Sequence, residues 1–290
     1  MSAAAKAEAG TQAKWPLVVF VHPSLAPAEI VRATNLVALQ DDASISGDGT
    51  PGYIVLAPQG RKTSHFYAFP DDTGYGWDNW YRQLNPAGEV WVGGSTYKEN
   101  VDAAAIDRFI SEEVATGKVD TDRIYLTGWS NGAAMAILYA LNRPGIAAAA
   151  VYSAPDPFAA FTDPCQQKPV SGKAASNDEV QVFNPGVPLM HVHNQCDIGG
   201  LCPNSARMAA QLRAAGASVE DVLLDSFGFQ VSGCYELCGT DPNGSAGVTG
   251  DPLGPDLGAW NHVRWPLSWT RKMLEFMGKH PLSARKPGTS

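Results

Sequence analysis

Short apolar runs alternate along this chain with stretches whose apolar residues recur at helical spacing. The runs LVVFVH (17–22) and YIVLAP (53–58) read as strands buried on both faces, with a helical segment near 27–41 between them in which Pro27 suits a first turn. In NVDAAAIDRFISEEVA, residues Val101, Ile106, Phe109, Ile110 and Val114 fall on one helical face, and the segment leads into a strand at 123–127. Further strands are expected at 148–153, 188–194 and 219–227, and helices near 131–142, 204–215 and 266–279. Such alternation predicts an α/β fold with a mostly parallel central sheet and helices on both faces. Two segments break the rhythm. Residues 59–97 form a long aromatic-rich insertion, and 228–261 form a second long loop rich in Gly, Pro and Asp.

One junction between strand and helix carries chemistry. In RIYLTGWSNGAAMAILYAL (123–141), the strand ends at Gly128 and the helix begins after Asn131, so Ser130 sits in the turn between two glycines. Gly-x-Ser-x-Gly in this context is the requirement of a nucleophile elbow: the serine takes a strained backbone that lifts its hydroxyl above the sheet edge, and its neighbours two residues away must be small. A glycine-rich turn with no chemistry is the plainer reading of the bare pattern, so partners decide.

In an α/β-hydrolase arrangement the partners follow in the order serine, acid, histidine, on loops at the carboxyl ends of strands. Of the histidines after Ser130, His191 and His193 lie inside a strand and His280 ends the last helix; His262, in GAWNHVRWP, falls on the loop before that helix and is the expected general base. Asp197, following the strand at 188–194, is the expected acid, with Asp225 in reserve. The oxyanion donors are expected to be the backbone amides of Asn131 and of Ser24 in VHPSLAP, because Pro23 has no N–H; Leu25 is a further possibility there. A metal centre on His191, His193 and Asp197 is the competing reading, with no H-E-x-x-H helix to support it. The expected chemistry calls for no metal and no cofactor.

Length and charge narrow the setting. A chain of 290 residues can form one large domain, expected here as 15–281 between a lead (1–14) and a tail (282–290). With 21 basic against 29 acidic residues and no basic cluster, neither nucleic acid nor an anionic membrane is the expected partner. The five cysteines, Cys165, Cys196, Cys202, Cys234 and Cys238, all lie in the second half at spacings that fit zinc poorly. They read as disulfide staples of an exported protein with one thiol left over, against the alternative of a cytosolic enzyme with reduced thiols. The polar start has no signal-peptide core and is compatible with a mature chain.

At this level the sequence resembles the polyhydroxybutyrate depolymerase and feruloyl esterase group of α/β-hydrolases. The resemblance runs in order through VHPS, GWDNWY, DRIYLTGWSNGAAMA, HVHNQCD and NHVRWP, between residues 16 and 266, and is most specific around Ser130. It implies a Ser130–Asp197–His262 triad and a secreted or periplasmic esterase acting on a polyester or an aromatic acyl ester. Two departures stand out: Pro23 replaces the family glycine, and with about 15 residues ahead of the first strand the antiparallel hairpin that often opens such folds is not expected here. Trp77, Trp80 and Trp260 are the expected substrate-binding aromatics, although any one of them could instead pack the long loop. An acyltransferase or peptidase with the same triad, and a hydrolase-like binding protein without chemistry, are the rival functions. A monomer is compatible with the sequence, which does not fix the oligomeric state.

Overall fold

The computed structural model describes residues 14–62, 74–77, 90–92, 95–97, 101–155, 184, 186–195, 197, 201–214, 216–233 and 258–285. Its centre is a six-stranded, all-parallel sheet in the order β10-β9-β8-β7-β1-β2. The strands are β1 (Trp15–Val21), β2 (Ile54–Leu56), β7 (Val119–Trp129), β8 (Ala148–Tyr152), β9 (Pro188–Asn194) and β10 (Ser218–Leu224). Between β2 and β7 the long insertion carries two small antiparallel pairs, β3 (Arg61–Lys62) with β4 (Tyr75–Gly76) and β5 (Val90–Val92) with β6 (Ser95–Tyr97), where the sequence pattern gave only a loop.

The strands are apolar on both faces because both faces are covered. Leu17, Val19 and Val21 of β1 point to a layer that includes Ile106 and Ile110 of α1 (Val101–Ala115), the body of α2 (Asn131–Asn142), and Met208 and Leu212 of α3 (Leu201–Ala214). Val18 and Phe20 point the other way, to Met273, Leu274 and Met277 of α5 (Thr270–Gly278). Each such side chain contributes roughly 1.5–3 kcal/mol by leaving water. The short helix α4 (Gly258–Val263) precedes α5. This strand order, with a strand–turn–helix elbow at the end of central β7, is the α/β-hydrolase fold expected from the alternation together with the Gly-x-Ser-x-Gly turn.

Three expectations shift. Only Ala28–Thr34 of the 27–41 segment is helical, as a 3₁₀ helix that ends at Asn35 in the left-handed region. The expected last helix divides into a 3₁₀ turn, Leu267–Trp269, and α5. The tail drawn from 282 is docked as far as Arg285: Ser283 donates its N–H and hydroxyl to Asp122, both at 2.7 Å, and the Arg285 guanidinium reaches the carbonyls of Ile146 and Ala147. Among the described residues no helix is long and apolar enough to cross a membrane.

Candidate active site

Parallel strands deliver their carboxyl ends to one edge, and the candidate residues collect there. β7 pairs with β1 so that Gly128 stands beside Val21, and with β8 so that Trp129 stands beside Tyr152. Ser130 therefore emerges between the ends of its two neighbours and donates its N–H to Tyr152 O at 3.0 Å. Its φ of 54° and ψ of −123° lie where a side chain is rarely found, as the elbow requires.

The flanking glycines have steric reasons. A Cβ on Gly132 would stand 2.1 Å from Val21 O and 2.3 Å from His22 O, and one on Gly128 would stand 2.5 Å from Gly132 O. Only bare backbone lets α2 start this close to β1.

Ser130 Oγ lies 2.8 Å from His262 Nε2, and His262 Nδ1 lies 2.7 Å from Asp197 Oδ1. The Asp197 carboxylate is wholly buried, while the His262 side chain keeps 19% of its exposure. Burial works against a charged His262 imidazole, but the charge of Asp197 and its hydrogen bond together outweigh it, and the histidine is held above its ordinary value. Sequence reasoning expected His262 on a loop; it stands in α4. Asp225, the reserve acid, accepts the backbone N–H groups of Phe227 and Phe229, both at 2.9 Å, as the cap of its own turn. It plays no part in the Ser130–His262 chain.

The loop after β1 is braced from below. His22 is fully buried, and burial pushes its imidazole below the ordinary value. Its Nδ1–H donates to Pro23 O at 2.8 Å, and its Nε2 accepts from Gly60 N–H at 2.8 Å and from Gln59 Nε2 at 3.0 Å. Leu25, in the left-handed region at φ 67°, gives its N–H to Tyr75 O at 2.7 Å. With Pro23 lacking an amide hydrogen, Ser24 holds the remaining donor of this turn. Asn131 opens α2, and its side chain is clamped to Trp77, accepting from Trp77 N at 2.8 Å and donating to Trp77 O at 3.1 Å.

Trp77 is a correction. Only 1% exposed, it donates its indole N–H to His22 O at 3.0 Å, so it props the loop instead of presenting a binding face. Trp80 and the side chain of Trp260 lie outside the described residues, as do Cys165, Cys196, Cys234, Cys238 and the side chain of Cys202.

His191 and His193 are buried, and the carboxylate that both meet is Asp221, where the sequence pattern pointed to Asp197. Asp221 Oδ1 lies 3.3 Å from His191 Nδ1 and 3.1 Å from His193 Nε2, a cluster whose spacing approaches that of metal ligands. The imidazoles stack within 5° of parallel, at 4.8 Å between centroids. An ion must lie near the plane of each ring that binds it, and two stacked planes do not share one, so this arrangement does not fit a shared metal without turning a ring.

Sequence reasoning missed the supports of His262. Trp129 donates its indole N–H to His262 O at 2.8 Å, and Tyr152 its hydroxyl to Asn261 O at 2.5 Å. Trp265 packs edge-on to both, at 5.9 and 5.8 Å. The only sequence signal was the Trp-Pro pair three residues past His262. A cavity of about 240 Å³ lies beside Tyr152, Asn261 and Trp265 but is lined by neither Ser130 nor His262. Missed too was Ser153, whose hydroxyl stands 2.5 Å from Asp197 Oδ2 and 3.0 Å from His262 Nδ1.

No family model matches the chain, and no curated protein matches it. Solved structures similar in fold include a carboxylesterase of Bacillus cereus (14% identity, 73% of this chain and 80% of that one, TM-score 0.44). Arabidopsis thaliana SOBER1 is similar at 17% identity over 75% of this chain and 91% of that one, with a TM-score of 0.45. Esterase PE8 is similar at 18% identity over 80% and 88%, with a TM-score of 0.46.

Proposed function

We propose that the protein is a serine esterase that cleaves carboxylic esters in two acyl-transfer steps. The observation that carries this reading is the continuous chain from Ser130 Oγ through His262 to buried Asp197, at 2.8 and 2.7 Å, on a serine held at φ 54°. In it, His262 Nε2 takes the proton of Ser130 as Oγ attacks the ester carbonyl, and Asp197 holds the Nδ1–H tautomer and supports the imidazolium. The amides of Ser24 and Asn131 receive the developing oxyanion, each contributing about 3 kcal/mol in the transition state. The imidazolium then protonates the leaving alcohol, and water, activated by the same histidine, releases the acid. These steps require no cofactor.

The sequence resemblance extends the reading to a polyester such as polyhydroxybutyrate, with an aromatic or feruloyl ester as the alternative substrate. Hydrolysis of p-nitrophenyl esters of increasing acyl length, a feruloyl ester and a polyhydroxybutyrate suspension, with wild type against Ser130→Ala, tests both levels. Serine-dependent turnover is expected, with the polymer degraded; turnover of only the feruloyl ester would move the substrate, and turnover that survives in Ser130→Ala would remove the mechanism. The same proposal includes export and two disulfides. Thiol titration of the unfolded, unreduced protein is then expected to find one free cysteine of the five; five reactive thiols would contradict it.

A further inference from the structure

We propose that Ser153 is a positioning residue of the same site, a fourth member of the hydrogen-bonded chain that fixes the carboxylate of Asp197 and the tautomer of His262; the inference rests on the esterase reading of Ser130. Ser153 directly follows β8, is fully buried, and anchors its N–H on Val192 O at 2.8 Å. Its hydroxyl spans the two partners of Ser130, at 2.5 Å from Asp197 Oδ2 and 3.0 Å from His262 Nδ1.

Proton counting gives the direction of each contact. An ionised carboxylate only accepts, so the single hydroxyl proton of Ser153 goes to Oδ2. Oγ is then left as an acceptor, and the group facing it on His262 must be Nδ1–H, which already points at Asp197 Oδ1 at 2.7 Å. Nδ1 therefore carries the hydrogen, and Nε2 turns its lone pair to Ser130. Asp197 is held at both oxygens, one by the imidazole and one by the hydroxyl, so its plane cannot swing away from His262. As the imidazolium forms, Nδ1–H has two oxygen acceptors around it.

The backbone sharpens the argument. Ser153 sits at φ 58°, in the left-handed region where glycine is at ease and a side chain is strained. A glycine would take this turn without strain, so what the serine adds is the hydroxyl.

Ser153→Ala and Ser153→Gly, made in the intact protein and assayed beside Ser130→Ala on a p-nitrophenyl ester, separate hydroxyl from backbone. Both Ser153 variants are expected to lose roughly ten- to hundredfold in kcat, with KM within about threefold of wild type. The proton resonance of His262 Nδ1, far downfield in the NMR spectrum, should move in both. A glycine variant with wild-type kcat, or an unmoved resonance in either, would overturn the proposal. If the alanine variant fails to fold, the glycine variant decides alone. Wild-type turnover in Ser130→Ala would instead remove the esterase reading, and the resonance would still report on Ser153.

Discussion

Ser130 depends on contacts that no side chain of its own makes. The missing Cβ of Gly132 lets α2 start against the carbonyls of Val21 and His22, so Gly132→Ala should force backbone apart. A loss of about 1–3 kcal/mol is expected from such overpacking, read as a lower urea midpoint; an unchanged midpoint would show that the turn has room to yield. His262 sets the pH response. Its imidazole must be neutral to accept the serine proton, and Asp197 holds it above 6.5, so kcat/KM should fall on acidification with an inflection above that value. Removing the charge with Asp197→Asn leaves burial to dominate, and any residual activity should show its acid limb displaced to lower pH. For stability the sign is opposite: a raised folded value favours the folded state at pH below the unfolded histidine range and loses that contribution as pH rises through the folded value.

At the scale of elements, the strands and helices were legible because their period is a property of the sequence itself. The strand 188–194 and the helix 131–142 appear with the limits that the pattern predicts, and Ser130, Asp197 and His262 come together as the order of strand ends required. What escaped was anything set by contacts between distant segments. Trp77 looks like a surface aromatic of a long loop until its indole is seen to hold His22 O, 55 residues away. Ser153 looks like a small residue at a strand end until Asp197 arrives beside it. The same holds for α4, whose position rests on Trp129, Tyr152 and Trp265. Trp265→Ala should cost about 3–5 kcal/mol by leaving a cavity, measured by denaturant unfolding, and should lower kcat at temperatures where the variant is still folded. Full activity with lost stability would separate the aromatic bracket from the placing of His262.

For the molecule as a whole, the parallel sheet is the device that turns sequence order into proximity: residues 130, 153, 197 and 262 share one edge because each follows one of the four successive parallel strands β7 to β10 that end there. Just ahead of β8, the Arg285 guanidinium caps the carbonyls of Ile146 and Ala147 and meets Asn184 Oδ1 at 2.8 Å. Arg285→Ala should lower stability by about 1–3 kcal/mol with kcat unchanged, since none of its contacts reach Ser130. The central claim is that Ser130 carries the acyl group. Mass spectrometry of the protein quenched during turnover of a p-nitrophenyl ester tests it directly: the account predicts a peptide containing Ser130 heavier by one acyl group, absent in Ser130→Ala, whereas an acyl group on another residue, or turnover persisting in that variant, would contradict it.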